Sequence, residues 1–249
     1  EDTEAAFTVP MGVKEIRISA GKAGELTLGE VNGEIAAIEG MTVVMPNGET
    51  AAELVGSGLC GDHVYYALVK DEDWTSDSPY TRMHISGSGP MWDMYTSPDY
   101  ANTFPNGHLR PYQSLAINVK SAKVYEGVTT IGNYAFYNTS SGSGARFSGG
   151  IELPSTLTTI GREAFTNVRM PEITIPEGVT TIGVRAFYNA GQPYKKGIGA
   201  NPDIPARFVP TLPGTLTELG ESVFSNSNLT EITVPQGVKQ IPSMAFHSC

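Results

Sequence analysis

One fifteen-residue phrase recurs five times in the second half of this chain, always in the same register. The copies read VYEGVTTIGNYAFYN (Val124 to Asn138), LPSTLTTIGREAFTN (Leu153 to Asn167), IPEGVTTIGVRAFYN (Ile175 to Asn189), LPGTLTELGESVFSN (Leu212 to Asn226) and VPQGVKQIPSMAFHS (Val234 to Ser248). Counted from the aliphatic residue before the Gly (Ile131, Ile160, Ile182, Leu219, Ile241), the spacings are 29, 22, 37 and 22, a base period of 22. A unit that short cannot bury its own apolar face, so successive units must stack on one another, and a solenoid is the predicted product. The excess residues fall in 139–150 and 191–205, both of loop composition. They are expected to bulge outward without breaking the stack, because loop closure costs grow only logarithmically with length.

The columns of the alignment have physical meanings. Apolar residues stand seven before the reference (Val124, Leu153, Ile175, Leu212, Val234) and three before it (Val128, Leu157, Val179, Leu216, Val238). Five after it there is always Phe: Phe136, Phe165, Phe187, Phe224, Phe246. Segments such as Glu172-Ile173-Thr174-Ile175 alternate polar and apolar, the period of a strand with one buried face. The Pro that follows in four of the five copies ends the strand pairing. Stacking then aligns the strands into a parallel sheet and the Phe rings into an internal column. Asn138, Asn167, Asn189 and Asn226, with Ser248 in the same column, are expected to satisfy backbone groups at a turn.

These residues carry a resemblance. IPEGVTTIGVRAF (Ile175 to Phe187) resembles the BspA-type leucine-rich repeat, which runs Ile-Pro, Val-Thr-x-Ile-Gly, Ala-Phe and often a Cys two or three residues later. The match covers Ala122 to Cys249, with Cys249 at the post-Phe cysteine position, so a buried structural thiol is expected there. Upstream, Cys60-Gly61-Asp62, His84 to Met91 and Pro111 to Leu115 resemble, in order, the segment that precedes the array in that family. The resemblance implies a leucine-rich repeat solenoid, mostly β with short helical or 3-10 turns, with an N-terminal β-rich cap. The predicted organisation is 1–55 as a small β-rich segment, 56–121 as the cap and 122–249 as the five-copy array. The last copy departs from the pattern, with Pro242 where the others have Gly. Within 1–55, Lys14 to Ser19, Gly24 to Leu28, Glu34 to Ile38 and Met41 to Met45 read as short strands and hairpins. An echo of the repeat at Pro10 to Ile16 lacks the following Gly and Ala-Phe, and reads as coincidence or relic.

Composition and motif content narrow the chemistry. Charged residues are 17% of the chain, against about 25% in an average domain, and 28 Gly and 17 Pro fit a turn-rich fold. A net charge of −10 argues against nucleic acid, whose binders must replace counterions with Lys and Arg. No stretch approaches the ~18 apolar residues of a membrane span. The first residue is Glu1, with no basic and apolar leader after it, so any export signal is expected to have been removed. No nucleophile elbow, phosphate loop, dinucleotide fingerprint or zinc-protease helix is present, and no cofactor is expected. The four histidines are scattered; His63 and His84 could approach across neighbouring strands, but hydrogen-bonded or exposed histidines are the expected reading there, as for His108 and His247. Asp71 to Asp77 lacks the central Gly and terminal Glu of a calcium loop and reads as a solvated hairpin tip. Tyr194-Lys195-Lys196 reads as loop surface, and Trp74, Tyr80, Trp92, Tyr95, Tyr100 and Tyr112 as packing over the end of the stack.

What remains is a surface. The residue between the two inward-facing strand positions points outward at the same height in each copy, giving the row Lys123, Glu152, Thr174, Thr211, Thr233. Such a broad polar face suits a macromolecule better than a small substrate, which needs a concave apolar pocket. The resemblance implies an exported bacterial surface protein without enzymatic activity, binding a protein or glycan through this row and the inserted loops. Two alternatives are a structural spacer presenting another domain and, more remotely, an enzyme with its site in the cap.

Overall fold

The computed structural model describes five short strands between residues 15 and 51, and residues 54–71, 80–95, 107–109, 118–138, 147–192 and 207–249. Those first strands are β1 (Glu15–Ile16), β2 (Glu25–Thr27), β3 (Glu34–Ile35), β4 (Thr42–Val44) and β5 (Thr50–Ala51), the first four each within a segment expected to be extended and the fifth outside all of them. Their pairing differs from the expected hairpins. β1 runs parallel to β3 and β2 parallel to β4; only β4 and β5 are antiparallel. Parallel neighbours require a crossover, so alternation located the strands while the connection lengths did not fix their partners. The echo at 10–14 lies outside the described residues.

β6 (Leu54–Leu59), β7 (Val64–Lys70) and β8 (Tyr80–Gly87) form an antiparallel meander. β8 then turns through Ser88 into β9 (Gly89–Pro90), followed by β10 (Met94–Tyr95) and β11 (His108–Leu109), which pair in parallel. From here the chain winds. Each of the first four copies contributes one strand, a Pro- or Gly-containing turn and a second strand. The first strands are β12 (Asn118–Val124), β14 (Ile151–Glu152), β16 (Glu172–Thr174) and β18 (Val209–Thr211). The second strands are β13 (Val128–Ile131), β15 (Thr159–Ile160), β17 (Thr181–Ile182) and β19 (Glu218–Leu219).

Two parallel ladders result. β9, β13, β15, β17 and β19 line up in chain order, with Ile131, Ile160, Ile182 and Leu219 directly in register. The other ladder runs β8, β12, β14, and again β16, β18. Because β8 and β9 are the outer neighbours of β12 and β13, residues 80–90 form a rung ahead of the first counted copy.

The interior is the predicted Phe column. Phe136, Phe165, Phe187, Phe224 and Phe246 stack at centroid separations of 5.2, 5.3, 5.5 and 5.8 Å. The insertions do more than bulge. Residues 139–146 and 193–206 lie outside the described residues, but each insertion returns through a fully buried ring, Phe147 or Phe208, that packs beside the column. Burying an aromatic offsets the entropy of ordering the loop end that carries it.

The helical or 3-10 turns do not form: no helix occurs among the described residues, and each copy closes through successive tight turns. Backbone conformation gives the reason. Residues three after the reference (Tyr134, Glu163, Arg185, Ser222, Met244) have φ between 51° and 58°, and Asn167, Asn189, Asn226 and Ser248, seven after it, have φ between 54° and 62°. A left-handed residue every four positions interrupts any right-handed helical run.

The fifth copy forms no strand. In earlier copies the Gly after the reference donates across the ladder, as Gly183 N to Ile160 O and Gly220 N to Ile182 O, both at 2.8 Å. Pro242 has no N–H to give Leu219, so the ladder ends there. Ile241 and Met244 are left 49% and 60% exposed, whereas Ile131 and Ile160 are fully buried. The expected burial of Cys249 is not found. Val168, Ala190 and Ser227 occupy its column and are buried, whereas Cys249, in the last described coil, is an exposed free thiol.

Candidate functional site

The strand row takes the expected geometry. Lys123 pairs in register with Glu152, and Thr174 with Thr211. Glu152, Thr174, Thr211 and Thr233 are exposed and Lys123 half-buried, so the five side chains make one polar stripe. The reason is alternation: Ala122, Ile151 and Ile173, one residue earlier, point into the core.

One end of this stripe has a feature the repeat alone does not reveal. His84 stands in register with Lys123, extending the row onto β8. Its Nδ1 shares a 2.9 Å hydrogen bond with the Tyr125 hydroxyl, and the two rings stack at 5.9 Å. The Lys123 ammonium lies 5.5 Å from the Tyr125 ring centroid and 3.3 Å from Glu152 Oε2. His84 is buried, so Tyr125 and the Lys123–Glu152 pair form the outward surface. Tyr125 occupies the column where the other four copies have Pro, and that departure was the available sequence signal. The second ladder carries its own polar ridge. Thr158 and Thr217 donate their hydroxyls to the Thr129 and Thr180 carbonyls of the preceding copies, at 3.0 and 3.2 Å.

The Asn column meets its expectation in part, since Asn167 reaches a backbone carbonyl while Asn189 and Asn226 reach side chains. Asn167 Nδ2 donates to Asn138 O at 2.9 Å, Asn189 Nδ2 to Asn167 Oδ1 at 2.7 Å, and Asn226 Nδ2 to the Tyr188 hydroxyl at 2.6 Å. These bonds tie copy to copy on the turn side.

The remaining candidates do not converge. His84 faces Ala67 across the meander, while His63, exposed in the preceding turn, accepts the Ser88 N–H through its carbonyl, so the two imidazoles are not brought together. His108 stacks on Trp92 at 4.0 Å, and Trp92 donates to Asp62 at 2.8 Å. His247 Nδ1 lies 3.1 Å from the hydroxyl of its neighbour Ser248. Among the described residues no three His, Cys, Asp or Glu side chains gather as a metal site would require. Asp71 is held by Lys120 at 3.2 Å and Arg82 at 3.7 Å. The rest of the acidic run through Asp77 lies outside the described residues, as do Trp74, Tyr100, Tyr112, the Pro111 to Leu115 match and the Tyr194-Lys195-Lys196 cluster. Burial holds the Cys60 thiol well above the usual range, so it is an unreactive packing group. No described helix is long and apolar enough to cross a membrane.

Two glutamates titrate in opposite directions. The Ser155 amide, with the Ser155 hydroxyl and Thr156 amide behind it, holds Glu126 below the ordinary glutamate range. Partial burial raises Glu163, against the opposing pull of Arg185, Arg162 and a hydrogen bond from Tyr134. The stability of Glu126 is therefore present above its unfolded pKa and lost as pH falls through its lower folded value. Ionising Glu163 costs more in the folded state, so its penalty is absent below the unfolded pKa and grows as pH rises through the folded one. Melting curves between pH 3 and 7 should show Glu126→Gln less stable than wild type at pH 7 and equal to it at the acid end. Glu163→Gln should be equal at the acid end and slightly more stable at pH 7. Parallel curves for both variants would contradict the assignment.

Parallel strands stacked at a 22-residue period around a Phe column define a leucine-rich repeat protein. A family model described as "BspA type Leucine rich repeat region" matches residues 114–149, 146–195 and 210–249, in six copies. The chain is a BspA-type leucine-rich repeat protein. The crystal structure of a leucine-rich repeat protein from Eubacterium ventriosum ATCC 27560 is similar in fold, with 23% identity and a TM-score of 0.50. The similarity covers 74% of this chain, which spans only 38% of that one. No curated protein matches the sequence.

Proposed function

We propose that this chain is an exported, non-enzymatic binding module that recognises a protein or glycan at a cell surface through the stripe from Lys123 to Thr233 and the loops beside it. The reading includes a division into a β-rich segment (1–55), a cap (56–121) and a solenoid (122–249). The observation that carries it is the stripe itself. Five side chains from successive copies, in register where they are paired, present hydroxyls and one ion pair on an open face, with the Tyr125 ring beside them. An aromatic anchor rimmed by polar groups is the usual composition of a recognition hot spot. Leucine-rich repeat domains generally act through protein binding, and the resemblance supplies the cell surface. A spacer role is the second reading, favoured by the unbroken Phe column that ties one copy to the next.

The test uses the purified chain against glycan arrays and extracellular-matrix proteins, alongside a triple variant Glu152→Lys, Thr174→Lys, Thr211→Lys. Exposed substitutions of this kind shift stability by only about 0.5 kcal/mol each. Saturable binding that weakens about tenfold or more in the variant, at unchanged melting temperature, is the expected result. Binding indifferent to the stripe, or no saturable binding, would favour the spacer.

A further inference from the structure

The stripe from Lys123 to Thr233 has a companion. Two residues earlier in each copy, and therefore on the same side of the strands, runs a second outward column: Ser121, Gly150, Glu172, Val209 and Glu231. β8 continues both columns by one rung, with Arg82 in register with Ser121 and His84 with Lys123. The charges on this face are sorted by sign. Its cations, Arg82 and Lys123, stand on β8 and β12, and its carboxylates, Glu152, Glu172 and Glu231, stand on the copies that follow. Arg169 and Arg207 come before β16 and β18 begin and belong to neither column.

A slip in the pairing adds a third cation. The register of β12 against β8 shifts between Val119 and Ser121, which makes Lys120 the extra residue of a bulge. A bulge re-aims the side chain it carries. Lys120 joins Arg82 around the Asp71 carboxylate, at 3.2 and 3.7 Å respectively. The Asp71 side chain is 9% exposed, whereas those of Arg82, Lys120 and Lys123 are 35%, 32% and 31% exposed, so the charge that meets solvent at this end is positive. At the other end Glu152 is 73% exposed, and Glu172 and Glu231 are exposed as well. The Lys123–Glu152 pair marks the boundary, with the Tyr125 ring beside it.

Distance decides what such a face can hold. Neighbouring strands lie about 4.8 Å apart, so the steps from β8 through β12, β14, β16 and β18 to the fifth copy span roughly 24 Å. That is more than two Debye lengths of about 8 Å at physiological salt, so each end acts on its own part of a partner. A polyanionic glycan, with one sign at every unit, loses over Glu152, Glu172 and Glu231 what it gains over Arg82, Lys120 and Lys123. A neutral glycan gains from neither end. A polypeptide can carry opposite charges in order, and about seven extended residues cover the span.

We propose that the partner of this face is an extended polypeptide segment with its charges in blocks, acidic residues over Arg82, Lys120 and Lys123 and basic residues over Glu152, Glu172 and Glu231. The proposal rests on the stripe being a recognition face and narrows its partner from protein or glycan to protein. Complementary potentials fix the orientation of the segment, and Tyr125, at the boundary, meets the residues between the blocks.

Three probes test this on the full chain. One is a synthetic peptide with an Asp block and a Lys block whose centres are about seven residues apart. The second has the same composition with Asp and Lys alternating, and the third is an oligogalacturonate, a uniformly acidic glycan. The block peptide should bind about tenfold or more tightly than the other two, and its advantage should shrink as added salt shortens the Debye length. A spin label on its Asp end should broaden the amides of Arg82 and Lys123 and spare those of Glu172 and Thr233. Glu172→Lys with Glu231→Lys should remove the advantage of the block peptide and raise oligogalacturonate binding about tenfold, at unchanged melting temperature. Equal binding of the two peptides, or binding of neither, overturns the proposal. So does a spin label that broadens the acidic end, or an oligogalacturonate that binds the wild type as tightly as the block peptide. These comparisons use the wild-type chain and hold even where the double variant fails to fold. A glycan ligand whose binding is lost in the triple stripe variant would overturn the charge order and leave the stripe as the recognition face. Block-peptide binding unchanged in that triple variant would overturn both.

Discussion

Phe187→Ala should lower the unfolding free energy by about 3–5 kcal/mol, the range for truncating a fully buried aromatic. Phe187 is stacked between Phe165 and Phe224 at 5.3 and 5.5 Å, with Phe208 at 5.7 Å on its flank, so the void would sit mid-column. Each coil touches only its neighbours, so this one cavity weakens the aromatic packing between the third and fourth coils. Urea unfolding followed by circular dichroism should show a lower midpoint and a broader transition as the coils after residue 207 separate from those before it. Phe246→Ala removes a half-buried ring with one stacked neighbour and should cost less than about half as much. Equal losses at the two positions would mean that the column does not carry the stack.

Much of this was legible because a repeat multiplies its own evidence. A single Val-Thr-Thr-Ile could belong to any strand, but five copies in register fix the ladder column, the Phe column and the outward stripe together. The structure pairs Ile131, Ile160, Ile182 and Leu219 as the alignment aligns them. Residues outside the repeat had no such support. In 15–51 alternation located the strands, but parallel or antiparallel partnership depends on long-range packing that no local pattern records. Phe147 was hidden by its surroundings, since Gly- and Ser-rich composition announces a loop and says nothing of the ring inside it, and Phe208, just past the second insertion, stands in no column of the repeat.

The turn side shows a different kind of blindness. Tyr134, Glu163, Arg185, Ser222 and Met244 share a left-handed backbone and no side-chain chemistry. Closing a coil in so few residues imposes that conformation, and the backbone accepts it from almost any side chain at a cost of about 1–2 kcal/mol. Four residues later the same conformation falls on Asn, which tolerates it, in three of the four copies where it occurs, so that half of the turn was readable. The stripe divides similarly. Its five members follow from periodicity, whereas His84 and Tyr125 join it only because β8 supplies a rung ahead of the first copy.

Gly220→Ala should be nearly as damaging as Phe187→Ala, for a reason that lies in the backbone. The Gly after the reference residue brings each coil against the one before it. A Cβ on Gly220 would press into the Val184 amide nitrogen and the Gly183 carbonyl carbon, and the same column at Gly161 and Gly183 offers only 2.7 Å to the nearest backbone atoms of the preceding coil. A side chain could swing away, but a ladder strand can yield only by moving apart. That movement would break the Gly220 N to Ile182 O bond at 2.8 Å and open the Phe187–Phe224 stack. The expected loss is about 3 kcal/mol, the upper end of overpacking costs, with faster exchange at the amides of Thr217 and residue 220 as its local signature. Gly214→Ala is the control, since a Cβ there meets only the Glu177 carboxylate at 3.6 and 3.8 Å and should change stability by less than about 1 kcal/mol. The fifth copy already carries a substitution of this kind: Pro242 has both a Cβ and no N–H, and it is at this copy that the ladder stops. If Gly220→Ala proved as mild as Gly214→Ala, close approach would not be what limits the ladder, and the missing N–H of Pro242 would have to account for its end alone.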